Sequence, residues 1–206
     1  MNRIIAKIGA MVVTVSVVLF AISMLVSFSF GGYFVCMLLP LGYIMMAAGF
    51  CRESDRSHKV AADVGLVFAA MYAVLIFLVY FAQTTVVRWD SLGEEAMQIL
   101  DYSRGGLLFN YDLLGYGMMA LSTFFIGLTI DAETKADRWL KYLMLIHGIF
   151  FLGCFIMPMT GIFRSMSDGE TSLGGVIALE FWCVYFTPIG ILSMLHFRKG
   201  NDYHVR

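Results

Sequence analysis

The chain has 206 residues, 60% of them hydrophobic and 14% charged, with a mean hydropathy of +0.80. That apolar share lies above the range of soluble domains. The net charge of −1 provides no bulk field for nucleic acid or for other anionic partners.

Six apolar runs account for nearly all of the length: Ile4–Phe30, Tyr33–Phe50, Val60–Ala82, Tyr111–Ile130, Trp139–Pro158 and Leu173–Phe197. About 20 apolar residues suffice to cross a bilayer as a helix. The spacing therefore predicts an all-α, polytopic, six-transmembrane-helix bundle over residues 1–206, with no room for a soluble domain.

The first run follows a basic start, Met1–Lys7, but exceeds the ~7–15 apolar residues of a signal peptide, and no small-residue cleavage site follows it. A retained helix is expected. The link Ser29–Gly32 is short, which predicts a tight antiparallel hairpin with the second run. The loop Cys51–Lys59 is charged and solvated. The third run carries small residues every four positions, Ala61, Gly65, Ala69 and Ala73, which let helix backbones approach closely.

The longest loop, from Gln83 to Asn110, separates runs three and four. Within it Leu92, Ala96, Ile99 and Leu100 recur at helical spacing against Glu94, Glu95, Gln98 and Asp101. This predicts an amphipathic helix over about 89–102, lying on the outer surface with Trp89 at headgroup level. Such a loop is either a lid or a passive connector. Asp131–Asp137 is a second charged turn, and Gly161–Ser172 is polar. Pro40-Leu41-Gly42 in run two and Pro188-Ile189-Gly190 in run six form a weak repeat, each a candidate kink.

Basic residues orient the chain. Arg3, Lys7, Arg52, Arg56, Lys59, Lys135, Arg138, Lys141, Arg198, Lys199 and Arg206 all fall on one side, eleven of the fourteen. Arg88, Arg104 and Arg164 fall on the other. An excess of Lys and Arg marks the cytoplasmic face. The expectation is a multi-pass cell-membrane protein with both termini cytoplasmic and the bilayer as its first partner.

Glu180 is the only carboxylate well inside a predicted run, and such groups default to a functional hypothesis. It either serves a ligand or a coupled proton, or pairs structurally with Arg88 or Arg164. Polar residues on runs three, four and six recur at helical spacing: Tyr72, Tyr80 and Gln83; Asp112, Tyr116 and Thr123; Glu180 and Thr187. Polar side chains avoid lipid. These residues either hydrogen-bond between helices or line an outward-facing pocket whose ligand-binding groups would be Glu180, Tyr80, Gln83, Asp112, Tyr116, Thr187 and Arg88. His147 is the only histidine deep in a run, and a bond to a backbone carbonyl is its expected state. With ~1.5 Å rise per residue it differs in depth from Glu180 by roughly 10 Å, too far for a direct pair.

No serine-hydrolase elbow, HExxH helix or phosphate-binding loop is present, so no catalytic residue is assigned and enzyme activity is the least supported class. Glu94-Glu95 lacks the arginine and histidines that a membrane CAAX-type protease would add. Cys36, Cys51, Cys154 and Cys183 form no CxxC pair, and His147 has no second deep histidine for a haem. No metal site and no cofactor are expected.

In size, span number and termini the chain resembles the substrate-binding subunits of energy-coupling-factor vitamin importers. Ala6 and Ala10 are similar to the AxxxA element by which those subunits touch their membrane partner. The resemblance implies a small-molecule ligand and a membrane-protein partner. The expected function is thus a small-solute binding or transport protein. The alternative is a non-transporting sensor, accessory subunit or assembly factor. Orientation is testable with cysteines introduced at Ser57 and Ser167. An impermeant thiol reagent applied to intact cells should label the second and spare the first; the opposite pattern would invert the assignment.

Overall fold

In a computed structural model of the protein the described residues are 1–89, 92–162 and 173–198, and among them every regular element is helical. Six segments are long and apolar enough to cross a membrane. They are α1 (Asn2–Leu25), α2 (Ser29–Glu53), α3 (Lys59–Ala82) extended by a π-helical turn at Gln83–Val87, α5 (Leu107–Thr129), α6 with α7 (Lys135–His147 and Phe150–Met159), and α8 (Leu173–Arg198). The short α4 (Glu94–Leu100) lies in the long loop.

Each span packs on its neighbours in sequence, and α8 returns to pack on α1, so the six form a closed ring. Across the middle, α2 also touches α5. The fourth span is the least apolar, with a mean hydropathy of 1.3, and also the most enclosed, with 67% of its window buried. A helix wrapped by protein can carry polar groups that a lipid-facing one cannot.

The first hairpin turns earlier than the sequence suggests. Ser29–Gly32 is already helix, and the turn is Val26–Phe28. Phe28 N–H donates to the Ser23 carbonyl at 2.8 Å and Ser27 N–H to Met24 at 3.1 Å, with Ser27 at φ 54°. That double closure ends a helix in its last turn, and its left-handed residue is here a serine. The amphipathic segment is also shorter than expected. It spans Glu94–Leu100 and docks on the bundle through buried Met97, while Ile99 stays exposed.

Small residues set the helix spacing. Gly65 lies against α5, where a Cβ would stand 2.8 Å from Ile126 Cγ1, and the Ser122 hydroxyl donates to the Gly65 carbonyl at 2.7 Å. Ala69 and Ala73 continue this buried face, whereas Ala61 is only part-buried and Ala62 takes its place. The proline–glycine repeat has a packing reason. Gly42 of α2 meets Gly9 and Val12, and Gly190 of α8 meets Thr14, so α1 is gripped on both sides through a glycine. Both helices run on through Pro40 and Pro188. The interrupted span is the fifth. Gly148 and Ile149 close with three-residue bonds between α6 and α7, where Gly148 presses on Phe124.

At the end of the ring that holds Met1 and Arg198, His196 joins three helices. Its Nδ1 is 2.9 Å from Asp137 and its Nε2 is 3.2 Å from Glu53, which also pairs with Arg3 at 2.7 Å. Carboxylates only accept, so the doubly protonated imidazolium satisfies both contacts. The Asp137 side chain also completes the capping box of α6 with Thr134.

Two glycine-to-alanine changes should have opposite signs. A Cβ on Gly9 would stand 2.6 Å from the Gly42 carbonyl oxygen and 2.7 Å from Met46 N, both backbone atoms. Gly9→Ala should therefore cost on the order of 1–3 kcal/mol. Gly153 offers space, with nothing nearer than Met157 Sδ at 3.9 Å. Gly153→Ala should gain up to about 1 kcal/mol from helix propensity. Thermal unfolding in detergent measures both, and equal effects would refute this account of the helix spacing.

Candidate functional site

Asp112 sits in the second turn of α5 and is 1% exposed. Its Oδ1 has no hydrogen-bond partner. The hydroxyls of Tyr80, from α3, and Tyr102, from the short turn after α4, act on its carboxyl group. Around it the rings interlock. Tyr33, Tyr80 and Tyr102 form a triangle with centroids 5.6–6.0 Å apart, and Phe109 lies 5.2 Å from Tyr102. Deeper in, Tyr116 stands edge-on to Trp182 at 5.0 Å and tilts toward Tyr72 at 5.8 Å. The Cys36 thiol lies 3.9 Å from the Tyr116 hydroxyl, and the Tyr72 hydroxyl is buried without a partner. Four elements thus meet around one carboxylate, at the end of the ring opposite His196, and α8 joins the cluster through Trp182 on Tyr116.

Gln83 does not point a free amide into this cluster. It staples the surface segment. Its Nε2 donates to the Leu100 carbonyl at 2.7 Å, and its Oε1 accepts from Tyr102 N–H at 3.1 Å. The π-helical turn begins at this residue, and such turns concentrate where a helix serves a special contact. A second staple is Arg104, which pairs with Glu94 and with Asp101. The Arg104 guanidinium holds the Glu94 carboxyl below its ordinary range. Burial pushes the Tyr102 hydroxyl well above its usual value, so it remains a donor over Asp112.

The remaining expected site residues are elsewhere. Glu180 is part-buried, and its Oε1 is buried without a partner. Glu180 acts on Cys183, one turn along the same helix, whereas Asp112 is the carboxylate beside the tyrosines. Arg88 lies over the Phe30 ring at 4.2 Å and against Trp89 at 5.2 Å, and makes no ion pair among the described residues. Arg164 lies outside the described residues. The Thr187 hydroxyl is used by the Cys183 carbonyl at 2.8 Å.

His147 bonds side chains rather than a backbone carbonyl. The Trp182 indole donates to its Nε2 at 3.1 Å, and Thr123 Oγ1 is 2.7 Å from its Nδ1. An indole only donates, so Nε2 accepts and the ring proton sits on Nδ1, directed at Thr123. The threonine hydroxyl passes its own hydrogen to Ala120 at 2.8 Å. No bond joins His147 to Glu180, yet Trp182 is only two residues beyond that carboxylate.

Tyr33, Cys36, Tyr102 and Trp182 belong to the cluster and were not singled out by polar periodicity. Tyr33 and Cys36 are one turn apart on α2, a spacing that offered a signal. Tyr102 had none, because its place depends on how the loop docks.

The fold and its acidic, tyrosine-lined end define a ring of six helices able to span a membrane. Comparison with protein-family models, curated proteins and solved structures finds no match. The likeness to importer subunits therefore rests on size and span number. Its AxxxA element is not free to dock a partner: Ala6 and Ala10 are both 0% exposed, within the packing of α1 on its neighbours.

The staples can be tested directly. Gln83→Leu should speed amide exchange across residues 100–104 while leaving α5 protected. A carboxyl with a depressed value in the folded protein contributes stability above its unfolded value and loses it as pH falls through the folded one. Acidification through the Glu94 range should therefore loosen the same segment, and Glu94→Gln should remove that pH dependence. Exchange unchanged by either treatment would show that the segment is held by other contacts.

Proposed function

We propose that this is a small-solute binding protein of the cell membrane, with both termini cytoplasmic and its binding site in the outer half of the bundle, centred on Asp112 rather than on Glu180. The observation that carries the reading is one atom. Asp112 Oδ1 is fully enclosed and unpartnered, and a buried polar group without a partner costs roughly 1–3 kcal/mol, more if charged. A ligand that bonds this oxygen recovers that cost.

The surface segment completes the site. Tyr102 lies over the carboxylate and is carried by a segment that Gln83 ties to the third span, that Met97 and Leu100 pack onto the bundle, and that Arg104 braces internally through Glu94 and Asp101. Lifting that segment uncovers Asp112 to the medium. A second reading, a sensor or accessory subunit without transport, is favoured by the mutual contact of the Tyr33, Tyr80 and Tyr102 rings, which fill the site in this conformation.

Purified protein screened by thermal unfolding against a panel of charged and neutral solutes tests the proposal. A true ligand at about 100 times its Kd adds roughly 2.7 kcal/mol of stability, or about 5–10 °C for a chain of this size. Asp112→Asn should abolish that shift while keeping the fold. If no solute stabilises the wild type and Asp112→Asn merely raises the melting point, the carboxylate is structural and the proposal fails. Uptake by vesicles containing the protein separates transport from sensing.

A further inference from the structure

Resting on the reading of Asp112 as the centre of a solute site, we infer that its ligand is a small organic ammonium ion, bound by the Asp112 carboxylate and the faces of the surrounding tyrosines. The first ground is charge. A carboxylate in an apolar interior stays ionised only beside a counter-charge, and otherwise takes up a proton. Among the described residues no Lys or Arg forms an ion pair with Asp112. The two described arginines at this end are committed elsewhere, Arg88 to Phe30 and Trp89, Arg104 to Glu94 and Asp101. A ligand carrying its own positive charge supplies what is missing.

The second ground is the lining. Tyr33, Tyr80, Tyr102 and Phe109 form one interlocked ring cluster, and the Tyr80 and Tyr102 hydroxyls act on the Asp112 carboxyl group. A ring face is negative, and attracts a desolvated cation that passes within about 6 Å of its centroid. A metal ion is poorly served here. It wants several oxygen or nitrogen ligands at once, and among the described residues no three His, Cys, Asp or Glu side chains gather to hold one. An alkylammonium asks for one carboxylate and several rings, which is the set present. Tyr102 completes the enclosure, because it alone of these rings rides on the surface segment and can close over a cation already on Asp112.

The test uses purified full-length protein and choline, with the neutral isostere in which carbon replaces the quaternary nitrogen. Butylamine, butanol and butyrate form a second set. Choline or butylamine should raise the melting temperature in proportion to concentration, and bind at least about tenfold more tightly than the matched neutral compound. Tyr102→Phe should keep that preference, since the ring face remains, and Tyr102→Leu should weaken it several-fold. Asp112→Asn should erase it; should that variant not fold, the wild-type comparison of matched compounds stands alone. Equal binding of cation and neutral isostere would overturn the ammonium assignment. If a neutral or anionic compound binds and is lost in Asp112→Asn, the site stands and only its ligand class is wrong. If nothing binds at any charge, the ammonium assignment and the site reading both fall.

Discussion

Hydrocarbon neither donates nor accepts a hydrogen bond, and in the six helices long and apolar enough to cross a membrane the described hydroxyls and His147 are mostly bonded within the protein. Hydroxyls in the spans turn back on their own helices, as Thr14 does to Ala10, Thr187 to Cys183 and Ser193 to Ile189, each at 2.7–2.8 Å. His147 is satisfied at both nitrogens by Thr123 and Trp182. Ser122 reaches across to the Gly65 carbonyl, exposed for it by the missing side chain. Against this background three enclosed side-chain atoms among the described residues stand without a partner: Tyr72 Oη, Asp112 Oδ1 and Glu180 Oε1. Two of the three belong to the tyrosine cluster around Asp112.

The spans were legible because membrane-length hydrophobicity is a strong and local signal. Their boundaries moved by a few residues for physical reasons. Ser29–Gly32 reads as a link because of its glycines and serine, but a helix in a membrane keeps its backbone bonded through such residues, and the chain reverses earlier at Ser27. The third span runs past Ala82 because the π-helical turn preserves bonding while swinging Gln83 toward the surface segment.

The site was half legible. Asp112, Tyr80 and Tyr116 share helical spacing with polar neighbours, and this periodicity identified them. Their ranking against Glu180 was not legible, since depth along a helix does not reveal which face is enclosed. Asp112 lies nearer a helix end than Glu180, yet it is the more buried, and Tyr102 of the loop acts on its carboxyl group. Tyr102 could be placed only by the docking of a loop. The fifth span hid its break for a similar reason. Gly148 is one glycine among 20, and its role follows from the Phe124 side chain it meets.

The closed ring bears on how the protein is made. Helices that emerge in order each find a partner already formed, since neighbours in sequence are neighbours in space. The exception is the face of α1 that carries Thr14, which waits for Gly190 of the last span. Until then the first helix carries an unfilled groove shaped for another helix. The final span thus acts as the closing stave of a cask. Quality-control machinery that inspects membrane proteins for unmatched helix faces would find its cue on α1, and would find it erased only once synthesis had passed α8.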